Sequence, residues 1–299
     1  MTFKQLEALF WAVRLGSFAQ AATKLHTTQS AISKRIQELE ALFGVPLFDR
    51  SVRTARLTEK GDQLFMAAQQ LLAQRDAAVE SLQAPEVMER HLRVGVTELT
   101  AMTWLPRLVS AIQAQYPKVV IVPIVNTGVV LRDKLLDDDV DLMIAPDDFS
   151  DPRFVSSPVG SVEHAWMCKP GLVGRRNQFQ MQDLKEFRLL TQDDRSGTGQ
   201  LYNRWLRALD RKDEDLLFSN SVLALIGLTI SGLGISYLPR RCLVPLVDSG
   251  ALQMLKVTPA LPDASYSAFI RADLSSPLMT SIARLAKDSC DFGRVFQPH

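Results

Sequence analysis

The segment 17–44 constrains the fold most, because it encodes two helices joined by a very short turn. Ser17 is a good N-cap for a helix over 18–25, which carries small and apolar residues on one face. A longer helix is predicted over 28–43, and Gly44 ends it. The small residues of the first helix allow the second helix to cross it closely. The pattern predicts a helix-turn-helix, and an amphipathic helix over 2–14 precedes it.

The first turns of the longer helix expose polar side chains. These are Thr28, Gln29, Ser30, Ser33 and Lys34. Because the major groove of DNA admits a helix, residues at a helix N-terminus can meet base edges there. Gln29 can pair with adenine, and Lys34 can reach guanine or a phosphate. The same face also suits an ordinary solvated helix, so the spacing alone leaves both interpretations open. The inner face is predicted to consist of Ala31 or Ile32, Ile36, Leu39, Leu42 and Phe43.

Two short stretches, 47–48 and 55–57, predict the strands of a small β-wing. Arg50 and Arg53 lie between them, where cations would meet phosphates or the minor groove. Residues 1–60 hold nine Lys and Arg against five Asp and Glu, a net charge of +4, so the rest of the chain carries −3. A basic head on a mildly acidic body suits a local surface for nucleic acid.

A continuous helical stripe of apolar residues runs from Glu59 to Leu82. Thr58 precedes it as an N-cap, and no proline interrupts it. A lone helix of this length cannot bury its stripe, so pairing with the same helix of a second subunit is expected. The hydrophilic residues 83–91 are predicted to form a hinge.

From Leu92 the chain alternates between short apolar strands and helices. Strands are predicted over 92–96, 119–125 and 140–145, with helices between them, which indicates a parallel sheet covered by helices. A second set of this kind follows over 199–237. Two similar units predict two lobes with a cleft between them.

Ligands of open α/β sheets bind beyond the carboxyl ends of the strands. Candidate effector residues at such ends are Thr97, Thr100, Asn126, Thr127, Pro146, Thr191 and Arg195. Several predicted helix N-termini around one cleft favour a small carboxylate, for which Arg195 is a candidate counter-ion. Each of these threonines could instead only cap a helix. Glu98 leaves two alternatives open, because an acid there could repel an anion or select an amine. A small organic acid or an amino acid is therefore expected.

Other function classes find little support in the residues. The four histidines are scattered, and no HExxH, GxSxG, P-loop or GxGxxG sequence occurs, so no enzyme, cofactor or metal site is expected. The three cysteines, Cys168, Cys242 and Cys290, lack paired spacing and are expected to be buried thiols, with a redox sensor as a minor alternative. An enzyme with an accessory DNA domain is a further alternative, which turnover of a small acid would favour.

A transport receptor with two α/β lobes is also conceivable. It predicts an export signal and no basic head, whereas Lys4 and Glu7 interrupt the apolar start of this chain. No apolar stretch reaches the roughly 18 residues that cross a bilayer. A cytoplasmic protein without membrane contact is expected.

Several segments of the sequence resemble the signature of LysR-type transcriptional regulators in order and spacing. They are Phe18–Ala22, Thr28–Glu40, Gly44–Arg50 and Leu57–Gly61, with a weaker continuation at Leu105–Pro106, Tyr116–Pro117 and Val140–Ile144. The resemblance implies sequence-specific binding of double-stranded promoter DNA by positions 28, 29, 30, 33, 34 and 53. Lys34 stands where arginine is commoner in the family. A homodimer through the linker helix, assembled further into a homotetramer, and effector-controlled DNA bending are also implied.

The resemblance implies an α+β multi-domain fold with an all-α winged helix-turn-helix, a long linker helix, and a two-lobed α/β effector domain like periplasmic binding proteins. The two crossings between the lobes are expected near 161–167 and 264–271. The expected boundaries are 1–58 for the DNA-binding domain, 59–90 for the linker and hinge, and 91–299 for the effector domain, with lobe I at 91–162 and 267–299 and lobe II at 163–266.

Overall fold

The structure is a computed structural model that describes residues 1–49, 56–82, 90–147, 150–176, 178–206 and 216–296. The chain forms two compact units, Met1–Leu82 and Gln83–His299. Among the described residues, no helix is both long enough and apolar enough to cross a membrane.

The first unit is helical. Its helices are α1 (Phe3–Arg14), α2 (Phe18–Lys24), α3 (Gln29–Phe43) and α4 (Glu59–Leu82). The predicted caps Ser17 and Thr58 are confirmed, since their side chains accept backbone N–H groups of α2 and α4. Thr28, which was predicted only as the start of the helix, caps α3 in the same way. Gly44 ends α3 in the left-handed conformation, with φ at 68°, which glycine adopts without a steric penalty.

The core of this unit lies between α1, α2 and α3. Ile32, Ile36 and Leu39 of α3 are buried in it, as the periodicity predicts. Leu42 and Phe43 were expected beside them but are 56% and 46% exposed. They continue the same stripe past the buried cluster, so the inner face of α3 is one turn shorter than the prediction.

The base of the predicted wing is present. Phe48 and Leu57 form an antiparallel bridge, and the Asp49 N–H donates to the Arg56 carbonyl at 2.9 Å. The predicted tip, together with Arg50 and Arg53, lies outside the described residues.

Helix α4 buries part of its stripe within its own unit. Ala68 and Leu72 join the core, and the rings of Phe10 and Phe65 stack at 5.8 Å. The C-terminal part differs, since Val79 and Leu82 are 48% and 89% exposed. The expectation that the whole stripe needs a partner helix is therefore wrong for the first part, because α1 covers it.

The second unit alternates strands and helices. Its strands are β1 (Arg90–Val96), β2 (Val119–Val125), β3 (Leu142–Pro146), β4 (Phe154–Val162), β5 (His164–Cys168), β6 (Gln178–Gln180), β7 (Leu189–Gln192), β8 (Leu216–Ser219), β9 (Ile235–Pro239), β10 (Gln253–Thr258) and β11 (Ala264–Arg271). Its helices are α5 (Glu98–Met102), α6 (Leu105–Gln115), α7 (Gly128–Leu136), α8 (Gly197–Leu206), α9 (Val222–Ile230), α10 (Val244–Asp248) and α11 (Pro277–Ser289).

These strands build two sheets, one in each lobe. The first has the order β2-β1-β3-β11-β4 and the second the order β6-β10-β5-β9-β7-β8. Strands β1, β2 and β3 run parallel, as do β7, β8 and β9. Their carboxyl ends therefore share one edge in each sheet, which is where the predicted ligand residues lie.

The chain passes between the sheets twice. The first passage lies between Val162 and His164, and the second lies between β10 and β11. Ala264 pairs with Val162, and the following two residues also pair with β4. Residues 264–266, which were assigned to lobe II, therefore belong to the first sheet, because the second passage ends before β11.

Candidate functional site

The first candidate site is the exposed N-terminal end of α3. Gln29, Ser30 and Lys34 are exposed there, and Ser33 is half-buried. Thr28 has a structural task, since its hydroxyl accepts the Ala31 N–H at 3.2 Å. The hydroxyls of Thr28 and Ser30 lie 3.0 Å apart. Residues three and four apart share a helix face, so Ser30, Ser33 and Lys34 project together.

The core behind this surface fixes its position. Ile32 and Ile36 are buried on the opposite face of α3, and Ala21 and Ala22 of α2 are buried in the same cluster. A polar helix end backed by close packing can enter a groove without reordering its backbone. That property suits DNA reading, which depends on preset contacts.

The second candidate site is a cavity of about 240 Å³ between the two lobes of the second unit. It opens beyond the carboxyl ends of strands from both sheets. Its lining residues are Thr97, Glu98, Leu99, Val125, Asn126, Thr127, Gly128, Pro146, His164, Gln192, Ser196, Thr198, Asn220, Ser221, Val222 and Tyr266.

Four of the predicted effector residues line this cavity: Thr97, Asn126, Thr127 and Pro146. Thr97 and Thr127 occupy N-cap positions, yet neither side chain makes a capping bond. The Thr127 hydroxyl is buried and has no hydrogen-bond partner among the described residues. The alternative that these two threonines only cap helices is therefore wrong; the Thr97 hydroxyl lies 3.4 Å from that of Thr100, and the Thr127 hydroxyl makes no such contact among the described residues.

The other three predicted residues do not line the cavity. Thr100 is fully buried, with its hydroxyl 3.4 Å from that of Thr97. Thr191 is also fully buried. Arg195 is exposed and pairs with Asp193 at 3.1 Å. The structure does not bring Arg195 to the cavity as a counter-ion, because a carboxylate two residues away holds its guanidinium.

Several lining residues escaped the sequence argument. Asn220 and Ser221 follow β8 and precede α9, so the rule of strand ends would have found them. His164 and Tyr266 stand on β5 and β11, beside the two passages between the lobes. The predicted positions of the two passages could have identified these two residues. In the sequence analysis those positions set only the boundaries of the lobes.

His164 has a well-determined hydrogen-bond environment. The Tyr202 hydroxyl donates to the Pro262 carbonyl at 2.7 Å, and it lies 3.0 Å from Nδ1 of His164. The Val162 carbonyl is a further hydrogen-bond partner of the ring. Burial lowers the pKa of His164 to about 4. The imidazole is therefore neutral at pH 7, so one ring nitrogen carries the hydrogen and the other is an acceptor.

Glu98 does not project freely into the cavity. Its Oε1 accepts the Ser221 hydroxyl at 2.9 Å, and its Oε2 accepts the N–H groups of Val222 at 2.5 Å and Leu223 at 3.3 Å. The acid binds the N-terminus of α9, and the two alternatives for its effect on ligands, repelling an anion or selecting an amine, stay open. Among the described lining residues no lysine or arginine occurs, so the carboxylate has no cationic side chain opposite it.

The cysteines lack the features of reactive thiols. Cys168 and Cys242 are buried, and Cys290 is partly buried. Burial raises the pKa of each thiol to about 11. Since the thiolate is the reactive form, all three are expected to react slowly at neutral pH. No group of His, Cys, Asp or Glu in the described part of the chain could hold a metal ion.

Comparison with protein families matches both units of the chain. Residues 3–62 match the model described as bacterial regulatory helix-turn-helix protein, lysR family. Residues 85–291 match the LysR substrate binding domain. The HTH-type transcriptional regulator CfxR of Cupriavidus necator is 27% identical over 266 residues, which cover 86% of this chain and 81% of CfxR.

Solved structures share the fold over the whole chain. Full-length OxyR from Pseudomonas aeruginosa matches with a TM-score of 0.72 and 23% identity, covering 100% of this chain and 99% of OxyR. Full-length LysG from Corynebacterium glutamicum, with bound effector Arg, matches with a TM-score of 0.66 and 19% identity, covering 97% of this chain and 98% of LysG. At these identities the likeness concerns the fold alone.

Proposed function

This chain belongs to the LysR family of bacterial helix-turn-helix transcriptional regulators, and we propose that a small molecule bound in its inter-lobe cavity controls its action on promoter DNA. Members of the family regulate transcription and are not enzymes. The predicted α+β organisation, a helix-turn-helix domain followed by an effector-binding domain, is confirmed. The observation that carries the proposal is a cavity beyond parallel strand ends whose lining includes the Thr127 hydroxyl, which has no hydrogen-bond partner among the described residues.

We infer that α3 reads bases through Gln29 and Lys34, with Ser30 and Ser33 in close approach to the DNA. The exposed, polar N-terminal end of the helix supports this role. Thr28 contributes mainly by capping the helix. Arg50 and Arg53 remain predicted phosphate or minor-groove contacts of the wing.

Binding sites selected from a random DNA pool by the wild-type protein would test base reading. Gln29→Ala or Lys34→Ala should relax the preference at one base pair, which is worth about 1 to 3 kcal/mol. Lys4→Ala is the matched control, because it removes an exposed cation from α1. An equal loss of affinity on every sequence would assign the tested residue to a phosphate instead.

The cavity best suits an amino acid, which narrows the expectation of a small organic acid or amino acid. Threonine hydroxyls and helix N-termini can hold a carboxylate, whereas the unprotonated nitrogen of the neutral His164 ring accepts from a donor such as an ammonium group. The absence of Lys and Arg from the described lining disfavours ligands with several carboxylates. The LysG structure, which holds arginine, supports the capacity of this fold for such a ligand.

A thermal-shift panel on the full-length protein tests this proposal. Each amino acid is compared with the organic acid that lacks its amino group, and only the amino acid should stabilise the protein. Thr127→Val should abolish the response and spare DNA binding. Thr191→Val is the control, since it removes a buried hydroxyl outside the lining. An unchanged response in Thr127→Val would remove Thr127 from the site.

We further propose a homodimer formed through α4, assembled into a homotetramer that acts in the cytoplasm. Exposed Val79 and Leu82 support the pairing. Leu82→Glu should lower the mass measured by sedimentation, whereas Met66→Glu, an exposed apolar position outside the stripe, should not. Effector binding is proposed to change the DNA bend, which energy transfer between dyes at the ends of a bound DNA fragment would measure.

The redox alternative predicts that replacing the thiols abolishes a response to peroxide. The raised pKa values of the three thiols oppose that mechanism. A triple Cys→Ser variant with normal effector-dependent transcription would support the small-molecule mechanism. Loss of that transcription in a folded triple variant would favour the redox mechanism.

A further inference from the structure

Glu98 joins the two lobes of the second unit across one end of the cavity. It is the first residue of α5, directly after the N-cap Thr97 that follows β1 of the first sheet. Its three donors belong to the start of α9, which follows β8 of the second sheet. The contact spans more than 120 residues of sequence, so it is a tertiary link between the lobes.

The chemistry of this link explains its strength. The first N–H groups of a helix have no partner within the helix, and they carry the positive end of the helix dipole. A carboxylate accepts hydrogen bonds from these N–H groups, and its negative charge is stabilised by the helix dipole. Hydrogen bonds to a charged acceptor are stronger than those between neutral groups. Ser221 also accepts the Ala224 N–H at 3.1 Å, so its own hydrogen is free for Glu98. Ser221 and Glu98 therefore provide the hydrogen-bond acceptors for the N–H groups at the start of α9.

This arrangement affects what the cavity can take. Ser221 and Val222 line the cavity together with Glu98. A ligand carboxylate aimed at the same amides would meet a carboxylate already bound there, and like charges in a half-buried site repel. The α9 end of the cavity is closed to anions by a residue of the chain itself.

We propose that Glu98 is a built-in anionic occupant that clasps the two lobes and excludes carboxylate groups from the α9 end of the cavity. The consequence for effector choice rests on the proposed function of the cavity. The clasp itself does not, because it can be measured without any effector.

Hydrogen exchange of the full-length protein tests the clasp, with acetate as the probe. In Glu98→Ala the amides of Val222 and Leu223 should exchange roughly tenfold faster than in the wild type. Sodium acetate should restore their protection and raise Tm in this variant, whereas sodium chloride at equal ionic strength should not. Acetate should leave these amides unchanged in the wild type, where the position is filled.

Glu163→Ala is the matched control, since Glu163 pairs with Arg240 and does not line the cavity. It should leave exchange at α9 unchanged. Glu98→Gln keeps the side-chain shape, so it serves if the alanine variant folds poorly. It should show faster exchange, because the charge is lost, and no recovery with acetate, because the space is filled.

Three outcomes would overturn the three parts of the proposal. Unchanged exchange at Val222 and Leu223 in both Glu98 variants would refute the clasp. Equal effects of acetate and chloride on a folded Glu98→Ala would refute the anion position. For exclusion, organic acids should stabilise Glu98→Ala at concentrations at least tenfold lower than the wild type needs, and no gain would refute it. A panel in which no ligand binds the wild type would count against the proposed function and leave the exchange results standing.

Discussion

Acidification should destabilise the second unit through His164. The side chain is 8% exposed, and its Nδ1 lies 3.0 Å from the Tyr202 hydroxyl. Tyr202 in turn donates to Pro262, which stands in the passage that leads back to the first sheet. Protonation would place a charge in this buried position, where no carboxylate bond to the ring is present among the described contacts. Burial accordingly lowers the pKa of His164 from 6.5 to about 4.

The sign of the effect follows from proton uptake. Between pH 6.5 and 4 the unfolded chain binds a proton at His164 and the folded chain does not. The stability due to the neutral ring is therefore fully present above pH 6.5 and is lost as the pH falls toward 4. With about 1.4 kcal/mol for each pKa unit, the loss between pH 7 and pH 5 is about 2 kcal/mol.

Urea unfolding at pH 7 and pH 5 measures this loss. In a Trp11→Phe background, tryptophan fluorescence reports only the second unit, where Trp104 and Trp166 are buried. His164→Gln should be less stable at pH 7, but its loss between the two pH values should be about 2 kcal/mol smaller than that of the parent. Tyr202→Phe keeps the imidazole and should keep the pH dependence. An equal pH dependence in His164→Gln and its parent would refute the assignment.

Three further predictions concern the first unit. Ile32→Ala should lower the free energy of unfolding of the first unit by about 3 kcal/mol, because the side chain is fully buried. Thermal unfolding followed by circular dichroism measures this loss. Gly61→Ala would place a Cβ 2.1 Å from the Leu47 carbonyl oxygen, so it should lower the Tm of the first unit and its affinity for DNA. Arg75→Ala should cost under about 1 kcal/mol, since the 2.6 Å pair with Glu7 is about one-third exposed; a urea titration measures this loss, and a loss above 2 kcal/mol would contradict it.

The sequence predicts the helix-turn-helix of the first unit well, because the residues that determine each helix end lie close together in the chain. A cap needs only the side chain of Ser17 or Thr28 and an amide three residues on. Burial at helix ends is not local in this sense. Leu42 continues the stripe of α3 yet is exposed, because burial depends on how far the packing partners extend. The covered part of α4 was missed for the same reason, since the sequence does not state that α1 lies beside it.

The lining residues of the cavity also fall into two groups, those that local sequence patterns predict and those that depend on long-range packing. Thr97, Thr127 and Pro146 were predicted because parallel strands bring their carboxyl ends to one edge. His164 comes from the second sheet, whose order β6-β10-β5-β9-β7-β8 departs from sequence order. Pairing of this kind depends on long-range packing, which periodicity does not encode.

The partners of the two charged residues near the cavity were not predicted, for one physical reason. A charge in a folded protein is paired by whichever donors or acceptors are nearest, and sequence patterns show only the charge. Arg195 is held by Asp193, two residues away, and Glu98 by amides more than 120 residues away. The net charge of lining residues is therefore a poor guide to the charge of a ligand. Groups that line the cavity and have no partner among the described residues are a better guide, and the buried hydroxyl of Thr127 is such a group. It follows that Thr127→Val should weaken effector binding, whereas Glu98→Ala should change which effectors bind.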